Sequence, residues 1–190
     1  MEIILASGSY KRREIMEKSG IPFRVEVPEI DEHAFDDLPT KERVMEIARN
    51  KAINIAERFP QDIIISADSL AEESESRQIQ YKPRDIEEGL KLAMLSSGAT
   101  INGYTGICMI HPEFGEVTEV AVTVQKFIDF SEEELKRLVD EQFLQRAGAL
   151  GISEETAGYT LVESISGSYT GAFGLPMEIV RKYLKKWQVI

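Results

Sequence analysis

The chain has 190 residues, 43% of them apolar, which is enough to fill an ordinary hydrophobic core. Its net charge of −11 at pH 7 disfavours partners such as duplex nucleic acid and anionic membranes. One cysteine and two histidines exclude an internal disulfide and the usual cysteine and histidine zinc site, so any metal must be held by carboxylates. No apolar run approaches the roughly 20 residues that span a bilayer and no signal-peptide core is present, so we expect a soluble, cytoplasmic protein.

The first pattern that indicates function lies between a short strand and a helix. Residues 3–6 are apolar and predict a strand, residues 7–9 (Ser-Gly-Ser) form a small-residue turn, and a helix follows over residues 10–19, ended by Gly20. Residues 11–13 (Lys-Arg-Arg) occupy the first helical turn, where the helix dipole disfavours cations. The pattern predicts either a phosphate site or a solvated basic helix start with a serine cap.

A second helix carries an unusual lysine. The apolar spacing predicts an amphipathic helix from Thr40, its N-cap, to about Arg58. Lys51 falls on the core-facing side of this helix, between Ala48 and Ala52. Its ammonium group either snorkels out to solvent or reaches into a cleft.

Carboxylates occur at two places. A predicted strand at 23–27 is followed by an acidic loop with Asp31 and Glu32. The apolar run at 63–69 predicts a strand buried on both faces that ends in Asp68. Ligands bind beyond the carboxyl ends of strands in open α/β sheets, so Asp68 is either a functional carboxylate or a simple turn residue.

The rest of the chain indicates a mixed α/β fold. Lys82 is held extended by Pro83, at a defined junction between a loop and a helix. Two long strands joined by a hairpin near residue 113 require antiparallel pairing, which excludes a purely parallel alternating fold. The other expected elements are a polar connection at 72–80, a helix at 86–98, a capping box at Ser131, a glycine-rich stretch at 145–152, a strand at 159–164 and a final helix after Pro176.

The unusual polar residues alternate in charge along the chain. They are Ser7, Lys11, Arg12, Asp31, Glu32, Lys51, Asp68 and Lys82. Such a mixture suits a triphosphate with a divalent ion, because cations bind phosphate oxygens while carboxylates bind the metal or deprotonate a water. The Walker phosphate loop, the dinucleotide-binding glycine fingerprint and the kinase motifs are absent from the sequence.

These residues also resemble the Maf nucleotide pyrophosphatases. Residues 5–12, LASGSYKR, are similar to the opening LASxSPRR of that family. Further blocks follow in family order over almost the whole chain, at 20–23, 30–32, 48–52, 66–69, 82–83, 104–106, 147–149, 167–169 and 174–176. The resemblance implies a single Maf-like domain over residues 1–190. It also implies an α/β (mixed) fold of the Maf and ITPase kind, in which an elongated mixed sheet flanked by helices forms two lobes around a deep cleft.

The resemblance further implies an activity and the residues that carry it. The reaction would be metal-dependent hydrolysis of a nucleoside triphosphate, dTTP or UTP or a modified nucleotide, to the monophosphate and pyrophosphate, which cleans the nucleotide pool. Asp68 would be the proton acceptor, and with Glu32 it would bind Mg²⁺ or Mn²⁺. The phosphates would be bound by Ser7, Lys11, Arg12, Lys51 and Lys82. A homodimer is also expected.

The sequence departs from the family pattern at several positions. Tyr10 replaces a proline, Lys11 replaces an arginine, and Ser69 replaces a threonine. The stretch 151–156 lacks the glutamine of many pyrimidine-preferring members. Lys11, Ser69 and Ser153 resemble the positions that set base preference. The departures also motivate an alternative, a non-catalytic nucleotide-binding regulator of cell division on the same fold, and a third option is a phosphatase that releases orthophosphate.

Overall fold

The computed structural model describes residues 1–139, 143–145 and 160–190, and these form a mixed α/β fold, as predicted. The strands and helices are, in chain order, β1 (Ile3–Ala6), α1 (Tyr10–Lys18), β2 (Arg24–Glu26), α2 (Thr40–Arg58), β3 (Ile63–Glu73), β4 (Ile79–Gln80), α3 (Ile86–Met94), β5 (Thr100–His111), β6 (Gly115–Phe127), α4 (Glu132–Lys136), β7 (Val162–Gly167) and α5 (Met177–Lys186). Short 3₁₀ turns occupy Glu32–Phe35, Phe143–Gln145 and Gly171–Phe173. Within these described ranges, no helix is long and apolar enough to cross a membrane.

The strands form one mixed sheet in the order β2-β1-β3-β5-β6-β7, with β4 paired to β3. Strand β1 runs parallel to both β2 and β3, whereas the pairs β3–β4 and β6–β7 are antiparallel. Strands β5 and β6 are neighbours in the sheet and only residues 112–114 separate them, so the expected hairpin is confirmed.

By its internal contacts the chain divides into two compact units. The first unit contains residues 1–69, 104–122 and 168–190, and the second contains residues 70–103 and 123–167. The second unit has its own core, in which Ile101, Phe127 and Leu135 are buried. The cleft between two lobes that the resemblance implies stays a prediction.

The core of the first unit follows from alternation along its strands. Ile3 and Leu5 of β1 pack with Met16 of α1 and with α5 in one cluster. Ile4 and Ala6 point to the opposite face, where they pack against the apolar side of α2. Cys108 is buried in this second cluster, as expected for a structural thiol, and burial raises the pKa of Cys108 to about 12.

Helix α2 lies against the sheet at a glycine. A Cβ atom built on Gly106 of β5 would lie 2.3 Å from the carbonyl oxygen of Val44 and 2.7 Å from the backbone nitrogen of Met45. Only a residue without a side chain allows the two backbones to approach this closely. Gly106 therefore fixes the place where α2, which carries Lys51, meets the sheet.

Some predicted boundaries are corrected by the structure. Thr40 is not the N-cap of α2, because Arg43 N donates to the Pro39 carbonyl oxygen at 2.8 Å, which makes Pro39 the cap and leaves Thr40 buried in the first turn. The buried strand β3 does not end at Asp68 but continues to Glu73, since Ala71 and Glu72 pair with β4. Residues 146–152 of the glycine-rich stretch and Ser153 lie outside the described residues.

Candidate functional site

The parallel pairing of β1 and β3 brings two predicted site residues to one edge of the sheet. Ala6, the last residue of β1, is in register with Ser66 of β3, and Ser7 follows directly. Asp68 lies two residues beyond Ser66, past the end of this pairing, and both Ser7 and Asp68 are buried. The prediction that Asp68 ends the strand was wrong, because β3 continues to Glu73, and Asp68 lies two residues past the last pair of β1 with β3.

Lys51 connects the two acidic positions. Its Nζ atom lies 2.7 Å from Asp68 Oδ1 and 2.7 Å from Glu32 Oε1. The side chains of Lys51 and Asp68 are 9% and 11% exposed, whereas that of Glu32 is 51% exposed. Lys51 therefore does not snorkel to solvent, and its ammonium group joins one buried and one half-exposed carboxylate.

Burial makes Asp68 an unusual aspartate. Removal from water raises the pKa of Asp68, and the nearby Glu32 carboxylate raises it further, while Lys51 and Arg12 oppose the shift. The same physics lowers the pKa of the Arg12 guanidinium by burial, against the opposing fields of Asp68 and Glu32. Once ionised, Asp68 is a stronger base than a solvated aspartate.

The Arg12 side chain is held by three oxygen atoms of the first unit. Nε donates to the Gly174 carbonyl oxygen at 2.8 Å, Nη1 to Ser7 Oγ at 3.4 Å and Nη2 to Ser69 Oγ at 3.3 Å. A guanidinium carries five N–H donors, so these three bonds leave two N–H groups without a protein partner in the described part of the chain. Two free N–H groups on a fixed cation are suited to a phosphate.

Two further contacts were not predicted from the sequence. Ser69 Oγ lies 2.9 Å from Thr105 Oγ1, and Thr105 Oγ1 donates to the Gly171 carbonyl oxygen at 2.8 Å. The available signal was weak, since Thr105 is a hydroxyl residue at the start of the buried run in β5, where apolar residues follow. The carbonyl groups of Gly171 and Gly174 carry no signal in a sequence.

The contacts of this cluster in the described part of the chain do not include Lys11 or Asp31. Lys11 is exposed and pairs with Glu14 at 3.0 Å, one turn along α1. Lys82 is exposed and belongs to the second unit, between β4 and α3. Asp31 accepts a hydrogen bond from His33 N at 3.0 Å and caps the short 3₁₀ turn. Ser153 lies outside the described residues.

The carboxylates at this site fit a hard divalent cation. Among the described residues no group of three or more His, Cys, Asp or Glu side chains could hold a metal ion. Glu32 and Asp68, however, approach one point, which Lys51 Nζ occupies. Mg²⁺ is commonly bound by one or two carboxylates, with phosphate oxygens and water as the remaining ligands, so a pair of carboxylates is an adequate protein contribution.

Known proteins resemble this chain over nearly its whole length. A family model described as Maf-like protein matches residues 2–187. A dTTP/UTP pyrophosphatase of Bacillus cereus is 35% identical over 193 residues, which cover 99% of this chain and 96% of the relative. A dTTP/UTP pyrophosphatase of Bacillus cytotoxicus is 32% identical over 191 residues, which cover 98% of this chain and 95% of the relative.

One solved structure shows only a distant likeness. A HAM1 protein from Coxiella burnetii aligns with 67% of this chain and 73% of its own at 18% identity and a TM-score of 0.47, which is too low to carry over a fold or a function. The family model and the two relatives are sufficient by themselves, because they extend over nearly every residue of the chain. The chain therefore belongs to the Maf-like protein family.

Proposed function

We propose that this protein hydrolyses a nucleoside triphosphate to the nucleoside monophosphate and pyrophosphate. The observation that carries the proposal is the Lys51 ammonium group between the Asp68 and Glu32 carboxylates, 2.7 Å from each, within a site that also holds Arg12. Membership of the Maf-like family supports the reaction, and the names of the relatives make dTTP and UTP the first substrates to test.

The chemistry assigns one proton transfer to the protein. A water oxygen attacks the α-phosphorus, the bond from that phosphorus to the bridging oxygen of the β-phosphate breaks, and pyrophosphate leaves. The proton that the water loses goes to Asp68, whose raised pKa makes its carboxylate a stronger acceptor than a solvated aspartate. The two free N–H groups of Arg12 neutralise charge on the phosphate oxygens, and Lys51 exchanges one carboxylate for a phosphate oxygen.

Glu32 and Asp68 are the residues that would hold Mg²⁺ or Mn²⁺. The bound ion would offset the negative charge of the triphosphate, a charge that a protein of net −11 otherwise repels. Lys51 contacts the same two carboxylates, so an ion bound there would compete with its ammonium group.

Other assignments are proposed from the family resemblance alone. Ser7, Lys11 and Lys82 complete phosphate binding, and Lys11, Ser69 and Ser153 set the base preference. Residues 1–190 act as a single Maf-like domain, and the protein forms a homodimer.

A substrate panel tests the proposed function. Purified protein is incubated with dTTP, UTP, CTP, dATP, GTP and 7-methyl-GTP in Mg²⁺ or Mn²⁺, and pyrophosphate and orthophosphate are measured separately. We expect pyrophosphate from at least one pyrimidine triphosphate, and a roughly 10²- to 10⁴-fold loss of turnover in Asp68→Asn. Asp37→Asn, the same change at an exposed aspartate of the first unit, is the matched control and keeps wild-type turnover.

Each alternative gives a different result in this panel. Nucleotide binding without turnover, equal in wild type and Asp68→Asn, would identify the non-catalytic regulator. Orthophosphate as the first product would identify a phosphatase. No pyrophosphate from any triphosphate refutes the proposed function.

A further inference from the structure

Thr105 is a buried hydroxyl residue that links three separate segments of the first unit. It is 3% exposed and lies on β5. Its Oγ1 atom is 2.9 Å from Ser69 Oγ on β3 and 2.8 Å from the carbonyl oxygen of Gly171, in the loop before α5. Ser69 in turn receives a hydrogen bond from Arg12 on α1 at 3.3 Å.

The groups at the two ends of this series of hydrogen bonds, the Gly171 carbonyl and the Arg12 guanidinium, determine the direction of every bond in it. The Gly171 carbonyl can only accept, so the single hydroxyl proton of Thr105 is donated there. Thr105 must then accept from Ser69, which commits the Ser69 proton to Thr105. Ser69 Oγ is left with lone pairs only, and it accepts from Arg12, which can only donate.

The loop that contains Gly171 also contacts Arg12 directly, so the hydrogen bonds form a closed ring. Arg12 Nε donates to the Gly174 carbonyl oxygen at 2.8 Å, three residues beyond Gly171. The loop itself is tightly built, because a Cβ atom on Gly171 would lie 2.4 Å from Ser168 Oγ and one on Gly174 would lie 3.2 Å from Arg12 Nε. Arg12 is therefore held from two sides, by the loop directly and by the loop through Thr105 and Ser69.

We propose that Thr105 is a positioning residue for triphosphate binding. By accepting the Ser69 proton it keeps Ser69 an acceptor, and an accepting Ser69 keeps the Arg12 guanidinium in the orientation that leaves two N–H groups for phosphate oxygens. The inference rests on the proposed function for the identity of the ligand. Without the Thr105 hydroxyl, Ser69 can turn its proton toward Arg12, where two donors face each other.

A purely structural role for Thr105 predicts something different. Its bond to Gly171 would then stabilise the loop alone, and its loss would lower the melting temperature and affect binding to the same extent whether or not Ser69 carries a hydroxyl. The coupling between Thr105 and Ser69 therefore separates the two roles.

The test is a double-mutant cycle of Thr105→Val and Ser69→Ala. We measure KM and kcat for dTTP and UTP, and the Kd of an α,β-methylene triphosphate analogue that cannot release pyrophosphate. Thr105→Val is expected to raise KM and Kd roughly 5- to 30-fold with a smaller change in kcat. In the Ser69→Ala background the same substitution is expected to raise them less than about twofold.

Two further variants complete the design. Thr105→Ser keeps the hydroxyl and is expected to restore wild-type KM. Thr118→Val removes a threonine hydroxyl from β6 in the same unit and is the control, with wild-type KM expected. Melting temperatures of all variants report loss of folding. If Thr105→Val does not fold, Thr105→Ala takes its place in the cycle with Ser69→Ala, and the same coupling is expected.

The outcomes are distinct. Three results would overturn the positioning role: equal effects of Thr105→Val in both backgrounds, a wild-type KM for Thr105→Val, or a raised KM for Thr105→Ser. The proposed function would still stand in each case, provided that the wild-type protein releases pyrophosphate. If the protein shows no turnover, but Thr105→Val weakens binding of the analogue much more in the wild-type background than in Ser69→Ala, the proposed function is refuted and the positioning role is supported.

Discussion

Replacing Lys51 with methionine tests whether the buried ammonium group compensates Asp68. Methionine keeps most of the side-chain volume but removes the charge, so Asp68 remains buried beside Glu32 without its cation 2.7 Å away. Breaking a buried ion pair costs about 3–5 kcal/mol, whereas the half-exposed Glu32 contact is worth about 0–1 kcal/mol. Because methionine also restores apolar packing, we expect Lys51→Met to lower the free energy of unfolding by about 2–4 kcal/mol at pH 8.

The loss should depend on pH, with a definite sign. The pKa of Asp68 is raised in the folded state, so the folded protein binds this proton more tightly than the unfolded chain and its stability falls as pH rises through the interval between the two pKa values. Loss of Lys51 raises the pKa of Asp68 further, which extends that interval upward. The stability difference between wild type and Lys51→Met should therefore shrink as pH falls, by at most about 1.4 kcal/mol per pH unit.

Urea denaturation at pH 5, 6, 7 and 8, in EDTA and without nucleotide, measures this difference. Lys91→Met is the matched control, since Lys91 and its partner Glu87 are both exposed, and its stability should equal that of the wild type at each pH. A difference for Lys51→Met that is the same at all four pH values, or that grows as pH falls, would refute the assignment of Asp68 as the carboxylate that Lys51 compensates.

Three other predictions concern the fold, the general base Asp68 and the metal site. Gly106→Ala places a Cβ atom 2.3 Å from the Val44 carbonyl oxygen, and we expect it to lower the free energy of unfolding by about 1–3 kcal/mol, measured by thermal denaturation. Gly103→Ala is the control, because its Cβ atom would have its nearest neighbour at 3.7 Å and should cost less stability. Equal losses of stability in the two variants would contradict the close approach at Gly106. Because the base must be ionised, kcat/KM should fall on the acid side as Asp68 takes up a proton, and since a bound cation favours the ionised carboxylate, this limb should move to lower pH as the Mg²⁺ concentration is raised; a profile without an acid limb would exclude Asp68 as the general base. Glu32→Gln should increase the Mg²⁺ concentration that gives half-maximal turnover about tenfold or more, and an unchanged titration would remove Glu32 from the metal site.

The parts of the site that depend on local pattern could be predicted from the sequence. The helical spacing around Lys51 indicates a core-facing lysine, and the structure buries it. Ser9 caps α1 by accepting from Arg12 N at 3.4 Å, and Gly20 adopts a positive φ of 73°, both as the residue types indicate. In each case the cause lies within one helical turn of the residue.

The parts that depend on pairing between distant segments could not be predicted. Strand β3 continues past Asp68 because β4, which follows a turn, supplies hydrogen bonds to it. The bonds of Ser69 to Arg12 and to Thr105 join residues 57 and 36 positions apart, and single hydroxyl residues give no periodic signal. Lys11 was assigned to phosphate from its motif, whereas in this structure it pairs with Glu14 one turn along its own helix.

The contact at Gly106 has a consequence for the position of Lys51. Since the contact joins two backbones, it sets the separation of α2 and β5 at Val44 with no side chain between them. Lys51 lies seven residues after Val44, about two helical turns along the same axis. A side chain at Gly106, a strand residue that contributes no atom to the chemistry, would therefore push α2 away from the sheet and move the Lys51 ammonium group with it.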